Sequence, residues 1–119
     1  MRIAIVGPCA SGKSSLARVL RERGLDARQI AQEHSYVPDM WARLTRPDIL
    51  ICLHASFDVC TRRKDLHWTR SEYEEQLDRL RHARQNCHLF LRTDDLSPDE
   101  VVRQVWLALG DRLDPGRAV

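Results

Sequence analysis

The sequence predicts an α/β fold in which a small parallel sheet of about four strands carries helices on both faces. Apolar segments that suit strands alternate along the chain with segments of helical periodicity, and hairpin-turn signals are absent. Two of the apolar segments, residues 3–6 and 49–53, contain only apolar residues, which is typical of strands buried on both sides of a parallel sheet. A chain of 119 residues holds one such domain, expected over residues 1–119.

The first half of the chain contains two predicted strands and one clear helix. Residues 3–6 lead into a glycine-rich segment, and residues 15–23 then have the apolar spacing of a helix, with Gly24 as its natural C-terminal cap. Residues 26–31 predict a short second strand with only three apolar members. One or two helical turns are expected over residues 38–44, where a proline fits the first position of the helix.

The middle of the chain combines the second fully apolar strand with two helices. Residues 49–53 are the predicted third strand, and a short helix is expected over residues 57–64. A longer helix is predicted to begin at Ser71 and to end near Asn86. Its predicted start is a capping box in which Ser71 and Glu74 supply the S-x-x-E pattern.

One strand and one helix complete the predicted domain. Residues 88–92 are the fourth strand. Residues 97–100, Ser-Pro-Asp-Glu, repeat the capping pattern before a helix with apolar residues on its inner face. Gly110 is predicted to close that helix, and the polar tail beyond it is expected to fray.

Composition and charge exclude several classes of protein. With 43% hydrophobic and 30% charged residues, the chain is neither disordered nor collagen-like. The longest uncharged apolar run, residues 49–57, is far shorter than the ~18 residues of a membrane span, and residues 1–7 are too short for a signal peptide. We therefore expect no membrane association and a cytoplasmic location.

The cysteines and the net charge add two further expectations. The four cysteines form no CxxC pair, which favours reduced thiols. A net charge of +2 does not by itself indicate nucleic-acid binding.

Residues 7–14, Gly-Pro-Cys-Ala-Ser-Gly-Lys-Ser, match the pattern G-x-x-x-x-G-K-[ST] between a predicted strand and a predicted helix. In this context the pattern predicts a nucleotide-phosphate site, because the glycines let backbone N–H groups turn toward one anion and the helix N-terminus adds its dipole. Lys13 is expected to neutralise β- and γ-phosphate oxygens, and the Ser14 hydroxyl is the expected Mg²⁺ ligand. The predicted nucleotide-binding residues of the loop are Gly7, Pro8, Cys9, Ala10, Ser11, Gly12, Lys13, Ser14 and Ser15.

Phosphoryl transfer also needs a group that orients or deprotonates the acceptor. Ligands of open parallel sheets collect at the carboxyl ends of the strands, where Glu33 follows the second strand and Asp58 follows the third. Asp58 is interpreted as a helix cap, and the third strand ends in Leu53-His54 without a carboxylate. Glu33 is therefore the predicted base or Mg²⁺ ligand, and the alternative is a solvated loop carboxylate.

Basic residues follow the third strand. Arg62, Arg63, Lys64 and Arg70 lie within nine residues and are expected to close over the phosphates with forked hydrogen bonds. The alternative is a basic, solvated helix. Trp68 either stacks on a base or pins this segment to the body of the domain. A second basic group is interpreted as a solvated helix face and comprises Arg79, Arg81 and Arg84.

These residues resemble the P-loop nucleoside and nucleotide kinases, the family that holds thymidylate kinase and the deoxyribonucleoside kinases. Three stretches carry the likeness and cover about half of the chain, namely residues 7–15, 51–63 and 89–102. The resemblance implies a three-layer P-loop NTPase fold in a shortened form, with a lid-like segment at about residues 61–72. It also implies that Arg62 or Arg63, with Arg70 as a weaker candidate, contacts the donor phosphates, and that Glu33 acts as the base.

The expected function is a Mg²⁺-dependent phosphotransferase that moves the γ-phosphoryl group of ATP or GTP to a hydroxyl or phosphate acceptor. The acceptor class stays open between a nucleoside, another small alcohol, a nucleotide and a polynucleotide 5′ end, because residues 30–48 are too short to match the acceptor region of the family. An alternative is a nucleotide-binding module or slow NTPase that switches a partner interaction. In a further alternative, exposed Tyr36, Met40 and Trp41 join two chains into a homodimer that completes one site.

Overall fold

The computed structural model describes residues 1–113 and has the predicted α/β architecture. One sheet of four parallel strands has the order β2-β1-β3-β4. The strands are β1 (Arg2–Val6), β2 (Asp26–Gln29), β3 (Ile49–His54) and β4 (Leu89–Arg92). The helices are α1 (Lys13–Glu22), α2 (Met40–Thr45), α3 (Phe57–Lys64), α4 (Arg70–Arg79), α5 (Arg81–Asn86) and α6 (Pro98–Leu113), and a 3₁₀ turn spans Gln32–His34.

The order of the strands reverses at β1. The chain runs from β1 through α1 to β2 at one edge of the sheet, and it then returns past β1 to β3 and β4. In open parallel sheets such a reversal leaves a crevice at the carboxyl ends of the two strands where it occurs, here β1 and β3. The glycine-rich loop begins at this crevice.

The sheet is buried on both faces, as its apolar strands predict. One face packs against α1 and α6 through Ile3, Ile5, Ile49, Ile51 and Leu53. The other face packs against α2 and α5 through Ala4, Val6, Leu50 and Cys52. Because successive side chains of a strand point to opposite faces, continuously apolar strands supply both layers of the core.

Two predicted helix caps are confirmed. Gly24 has a φ of +84° and its N–H donates to the carbonyl of Arg21, while the N–H of Leu25 donates to the carbonyl of Leu20. This pair of bonds is the Schellman motif, which needs a left-handed residue and therefore favours glycine. Ser97 and Glu100 form the predicted capping box at the start of α6.

The capping box of α4 lies two residues earlier than predicted. Thr69 Oγ1 accepts a hydrogen bond from the N–H of Glu72 at 3.1 Å, and Glu72 Oε1 accepts one from the N–H of Thr69 at 3.3 Å. The prediction of Ser71 and Glu74 as the box is wrong, because the upstream T-x-x-E pattern caps the helix and α4 therefore begins at Arg70, one residue before Ser71. The predicted helix to Asn86 is also interrupted, since α4 ends at Arg79 and α5 begins at Arg81.

Two further helix ends differ from the predictions. Ser56, and not Asp58, caps α3, because its hydroxyl lies before the first turn and accepts from the N–H of Val59 at 3.3 Å. Helix α6 passes through Gly110 and continues to Leu113, with Gly110 packed closely on the side chain of Trp106. The tail predicted beyond Gly110 is described only as far as Leu113, and residues 114–119 lie outside the described part of the chain.

The predicted exposure of Tyr36, Met40 and Trp41 is wrong for two of the three residues. Tyr36 is 86% exposed, but Met40 and Trp41 pack against the second face of the sheet. The indole N–H of Trp41 donates to Nδ1 of His82 at 3.2 Å. Burying these apolar side chains removes them from water, which favours packing on the sheet over exposure. Within residues 1–113, no helix has both the length and the apolar character needed to cross a membrane.

Candidate functional site

The glycine-rich loop, residues 7–12, joins the carboxyl end of β1 to the first residue of α1. A Cβ at Gly7 would lie 2.5 Å from Ser11 Oγ and 2.7 Å from the carbonyl oxygen of Leu53, so only glycine fits against β3 at this point. Gly12 has a φ of +107°, a left-handed conformation that glycine adopts without strain. The two glycines of the motif therefore allow a close backbone approach and a sharp turn into the helix.

A cleft of about 700 Å³ opens over this loop at the carboxyl edge of the sheet. Its walls come from the loop and the start of α1, the 3₁₀ turn, α3 and the segment that follows β4. Most of the predicted site residues border it, including Cys9, Ala10, Ser11, Gly12, Lys13, Ser14, Ser15, Glu33, Arg63 and Lys64. The strand-order reversal and the motif thus lead to the same part of the molecule.

Lys13 is the first residue of α1 and is only 8% exposed. Its Nζ donates to the carbonyl oxygens of Gly7 and Pro8 at 2.6 and 3.1 Å, and to Oε2 of Glu33 at 2.6 Å. These acceptors use all three N–H donors of the ammonium group. A phosphate that approaches Lys13 must therefore replace or share one of them.

Glu33 lies in the 3₁₀ turn after β2 and is 4% exposed. Its Oε2 pairs with Lys13, whereas Oε1 is buried and has no hydrogen-bond partner among the described residues. An unpaired buried acceptor is costly, so Oε1 is ready to accept a hydrogen bond or to bind a cation in the cleft. Oxygen donors from Glu33 and from exposed Ser14 suit a hard divalent cation such as Mg²⁺.

Gln76 of α4 holds the loop at Cys9 and was not predicted as a site residue. Its Oε1 accepts from the N–H of Cys9 at 3.0 Å, and its Nε2 donates to Cys9 Sγ at 3.2 Å. Gln76 is buried on the inner face of α4, three residues after Tyr73 and four before Leu80. A polar residue on an otherwise apolar helix face was the one signal in the sequence that could have found it.

Arg63 and Thr93 connect three segments beside the loop. Arg63 Nη1 donates to the carbonyl of Ala10 at 3.1 Å and to Thr93 Oγ1 at 3.0 Å, and Nη2 donates to the carbonyl of Thr93. Thr93 is buried, and its hydroxyl donates to the carbonyl of Ser11 at 2.8 Å. Sequence reasoning missed Thr93, although its position directly after β4 places it at the same sheet edge as the loop.

The other two arginines predicted near the donor phosphates lie elsewhere. Arg62 is exposed on α3, and neither Arg62 nor Arg70 is among the described residues that line the cleft. The Arg70 guanidinium lies 4.7 Å from the centre of the Phe57 ring, a cation–π contact outside the site. Of the three arginines, the structure places only Arg63 at the cleft.

Trp68 pins the lid-like segment to the body of the domain. Its indole N–H donates to Thr61 Oγ1 at 2.7 Å, and its ring stacks on the rings of Phe57 and Tyr73. The Tyr73 hydroxyl in turn donates to the carbonyl of Ala55 at 2.6 Å. Between the two roles left open by the sequence, these contacts favour the structural one.

The prediction of a solvated basic face on α4 and α5 is wrong for Arg79. This side chain is 20% exposed, and its Nη1 donates to the backbone carbonyl of Glu33 at 3.2 Å. Its guanidinium also lies 4.7 Å from the centre of the Tyr36 ring. Arg79 therefore supports the turn that carries Glu33, whereas Arg81 and Arg84 are exposed as predicted.

His54 occupies the end of β3, where a carboxylate is absent. Its ring lies 6.5 Å from that of Tyr73 and 5.7 Å from that of Phe90, measured between ring centres. Burial, and then the nearby Arg84 and Arg92, lower the pKa of His54 below its ordinary value. The imidazole is therefore neutral at pH 7 and packs as part of an aromatic cluster.

A scan of the chain against protein-family models and a search of curated proteins found no match. The features that bear on function are therefore the sheet topology and the chemistry of the cleft.

Proposed function

We propose that the protein is a Mg²⁺-dependent phosphotransferase of the P-loop kinase type, which moves the γ-phosphoryl group of ATP or GTP to a hydroxyl or phosphate acceptor. The observation that carries this proposal is the buried contact between Lys13 Nζ and Glu33 Oε2 at 2.6 Å, at the loop that joins β1 to α1. A cation for phosphates and a carboxylate for an acceptor lie side by side in one cleft. This combination supports transfer better than nucleotide binding alone.

Donor binding uses the loop and the N-terminus of α1. Backbone N–H groups and the helix dipole attract the phosphates, and Lys13 exchanges its bond to Glu33 for a bond to a phosphate oxygen. Ser14 and Glu33 would hold Mg²⁺, which neutralises charge on the phosphates when it is bound. Arg63, tethered to Ala10 and Thr93, adds positive charge on the other side of the loop.

Glu33 is the residue that acts on the acceptor. Once Lys13 bonds to phosphate, the Glu33 carboxylate accepts the proton of an acceptor hydroxyl while that oxygen attacks the γ-phosphorus. The bond between the γ-phosphorus and the β–γ bridging oxygen breaks, and the nucleoside diphosphate leaves. An ionised phosphate acceptor needs no base, so Glu33 then has only an orienting and metal-binding role.

The test is transfer of label from γ-labelled ATP and GTP, with Mg²⁺, to nucleosides, nucleoside monophosphates, small alcohols and 5′-hydroxyl oligonucleotides. We expect labelled product on one acceptor class with the wild type, and its loss in Glu33→Gln and Arg63→Ala. Arg18→Ala is the matched control, because Arg18 is an exposed residue of α1. Label found only as inorganic phosphate would overturn transfer and favour an NTP-hydrolysing switch instead.

A further inference from the structure

Three side chains bring metal-ligating atoms together at the edge of the cleft. Cys9 Sγ lies 3.6 Å from His34 Nε2, which in turn lies 3.9 Å from Glu33 Oε2. Ligand atoms from all three residues lie within 4.8 Å of one another. Tetrahedral zinc, with bonds of about 2.0–2.3 Å to oxygen, nitrogen and sulfur, separates its ligand atoms by about 3.3–3.6 Å. The cluster therefore needs only small side-chain movements to surround one ion.

A second observation points to a ligand at the same place. The Glu33 side chain is 5% exposed, and its buried Oε1 has no hydrogen-bond partner within residues 1–113. Buried carboxylate oxygens normally have partners because an unpaired one costs free energy. A cation held by Cys9 and His34 would give this carboxylate a further partner beside Lys13.

The surroundings of Cys9 also suit a metal-bound sulfur. The amide of Gln76 donates to Sγ at 3.2 Å and accepts from the Cys9 backbone N–H. Hydrogen bonds of this kind orient a ligand and stabilise charge on it. Gln76 is buried, so this hydrogen bond to the sulfur comes from inside the fold.

We propose that Cys9, Glu33 and His34 form a zinc-binding site. A sulfur, a nitrogen and an oxygen donor suit Zn²⁺, whereas Mg²⁺ prefers oxygen donors alone. Three protein ligands leave one tetrahedral position for water or a ligand oxygen. Zinc at this site engages the same carboxylate that pairs with Lys13, so Zn²⁺ inhibits phosphoryl transfer; that consequence rests on the proposed function, and the binding site does not.

The test uses the reduced full-length protein without nucleotide, titrated with Zn²⁺ and separately with Co²⁺. We expect one equivalent of metal to bind and Co²⁺ to develop a thiolate-to-metal charge-transfer absorption band. Cys9→Ser and His34→Ala should each weaken binding at least tenfold. Cys87→Ser is the matched control, because Cys87 is a partly buried thiol outside the cluster, and it should leave the affinity unchanged.

Three results would overturn the proposal: absence of binding, a cobalt complex without the thiolate band, or an equal loss of affinity in Cys87→Ser. His34 is exposed, so His34→Ala keeps the test decisive even where Cys9→Ser disturbs the loop. The two proposals also fail separately. A protein that binds zinc but transfers no phosphoryl group refutes the kinase function, whereas phosphoryl transfer without zinc binding refutes the metal site alone.

Discussion

Lys13 Nζ and Glu33 Oε2 lie 2.6 Å apart although 20 positions separate these residues in the sequence. Pairing of β1 with β2 brings them together, because the loop that carries Lys13 and the turn that carries Glu33 follow neighbouring parallel strands. Both side chains are more than nine-tenths buried. Each charge therefore depends on the other for its stability inside the fold.

Removing one member of this pair leaves a buried charge without its partner. We expect Lys13→Met and Glu33→Gln each to lower the free energy of unfolding by about 3 kcal/mol, and the double variant to lose less than the sum of the two. Urea denaturation of the wild type, the two single variants and the double variant gives the coupling energy between Lys13 and Glu33. Strictly additive losses would contradict a direct buried interaction.

Gln76 stabilises the glycine-rich loop through two hydrogen bonds to Cys9. Replacing it by methionine leaves the Cys9 N–H unpaired, so Gln76→Met should lower the free energy of unfolding by about 1–3 kcal/mol. Gln104→Met on α6 is the control, because Gln104 is exposed and should change stability by no more than about 0.5 kcal/mol. Equal effects of the two substitutions in thermal and urea unfolding would exclude the role assigned to Gln76.

The start of α4 distinguishes the observed cap from the one expected by pattern. Thr69→Ala removes the N-cap hydroxyl and should cost about 1 kcal/mol of stability. Ser71→Ala, in the first turn of the same helix, should cost less than about 0.5 kcal/mol because alanine is a better helix former than serine. A larger loss in Ser71→Ala, measured by chemical denaturation, would restore the Ser71 and Glu74 box.

We expect the buried thiols to make the folded protein less stable at alkaline pH. Burial raises the pKa of Cys52 to about 12 and that of Cys60 to about 11, from 9.0, and raises the pKa of Tyr73 to about 12 from 10.0. Above pH 9 the unfolded chain releases thiol protons that the folded chain keeps, so the free energy of unfolding should fall as the pH rises from 9 toward 11.

Replacing the two thiols tests this linkage. The Cys52→Ala/Cys60→Ala variant starts from a lower stability, and its decline above pH 9 should be shallower than that of the wild type. The remaining slope reflects Tyr73 and Cys87, because burial raises the pKa of both groups. Urea denaturation at intervals between pH 7 and pH 11 measures both curves, and parallel curves would show that the buried thiols do not cause the decline.

The structure separates two adjacent arginines that the sequence treats alike. Arg63 borders the cleft and donates a hydrogen bond to the loop, whereas Arg62, on the same helix, is not among the described residues that line the cleft. In the proposed kinase, Arg63→Ala should weaken binding of a fluorescent nucleoside triphosphate about tenfold, the loss of one charge-assisted hydrogen bond. Arg62→Ala should change the affinity less than twofold, and the reverse order of effects would assign the phosphate contact to Arg62.

The strands, the glycine-rich loop and several caps could be predicted because their signals are local. The apolar segments at residues 3–6 and 49–53 became β1 and β3, since only a strand buried on two faces is apolar throughout. Gly24 ends α1 because a left-handed residue is needed there. The second strand was predicted two residues too long, since β2 ends at Gln29 and the backbone then turns to carry Glu33.

The sequence by itself determined the parallel sheet and the motif between β1 and α1, because side-chain alternation and glycine conformation depend on neighbouring residues. Only the tertiary structure decided that Lys13 pairs with Glu33, that Arg63 rather than Arg62 faces the cleft, and that Gln76 holds Cys9. Those contacts join segments 20 to 67 positions apart. Their geometry depends on strand order and on the rotation of each helix about its axis, which the packing of the whole core sets.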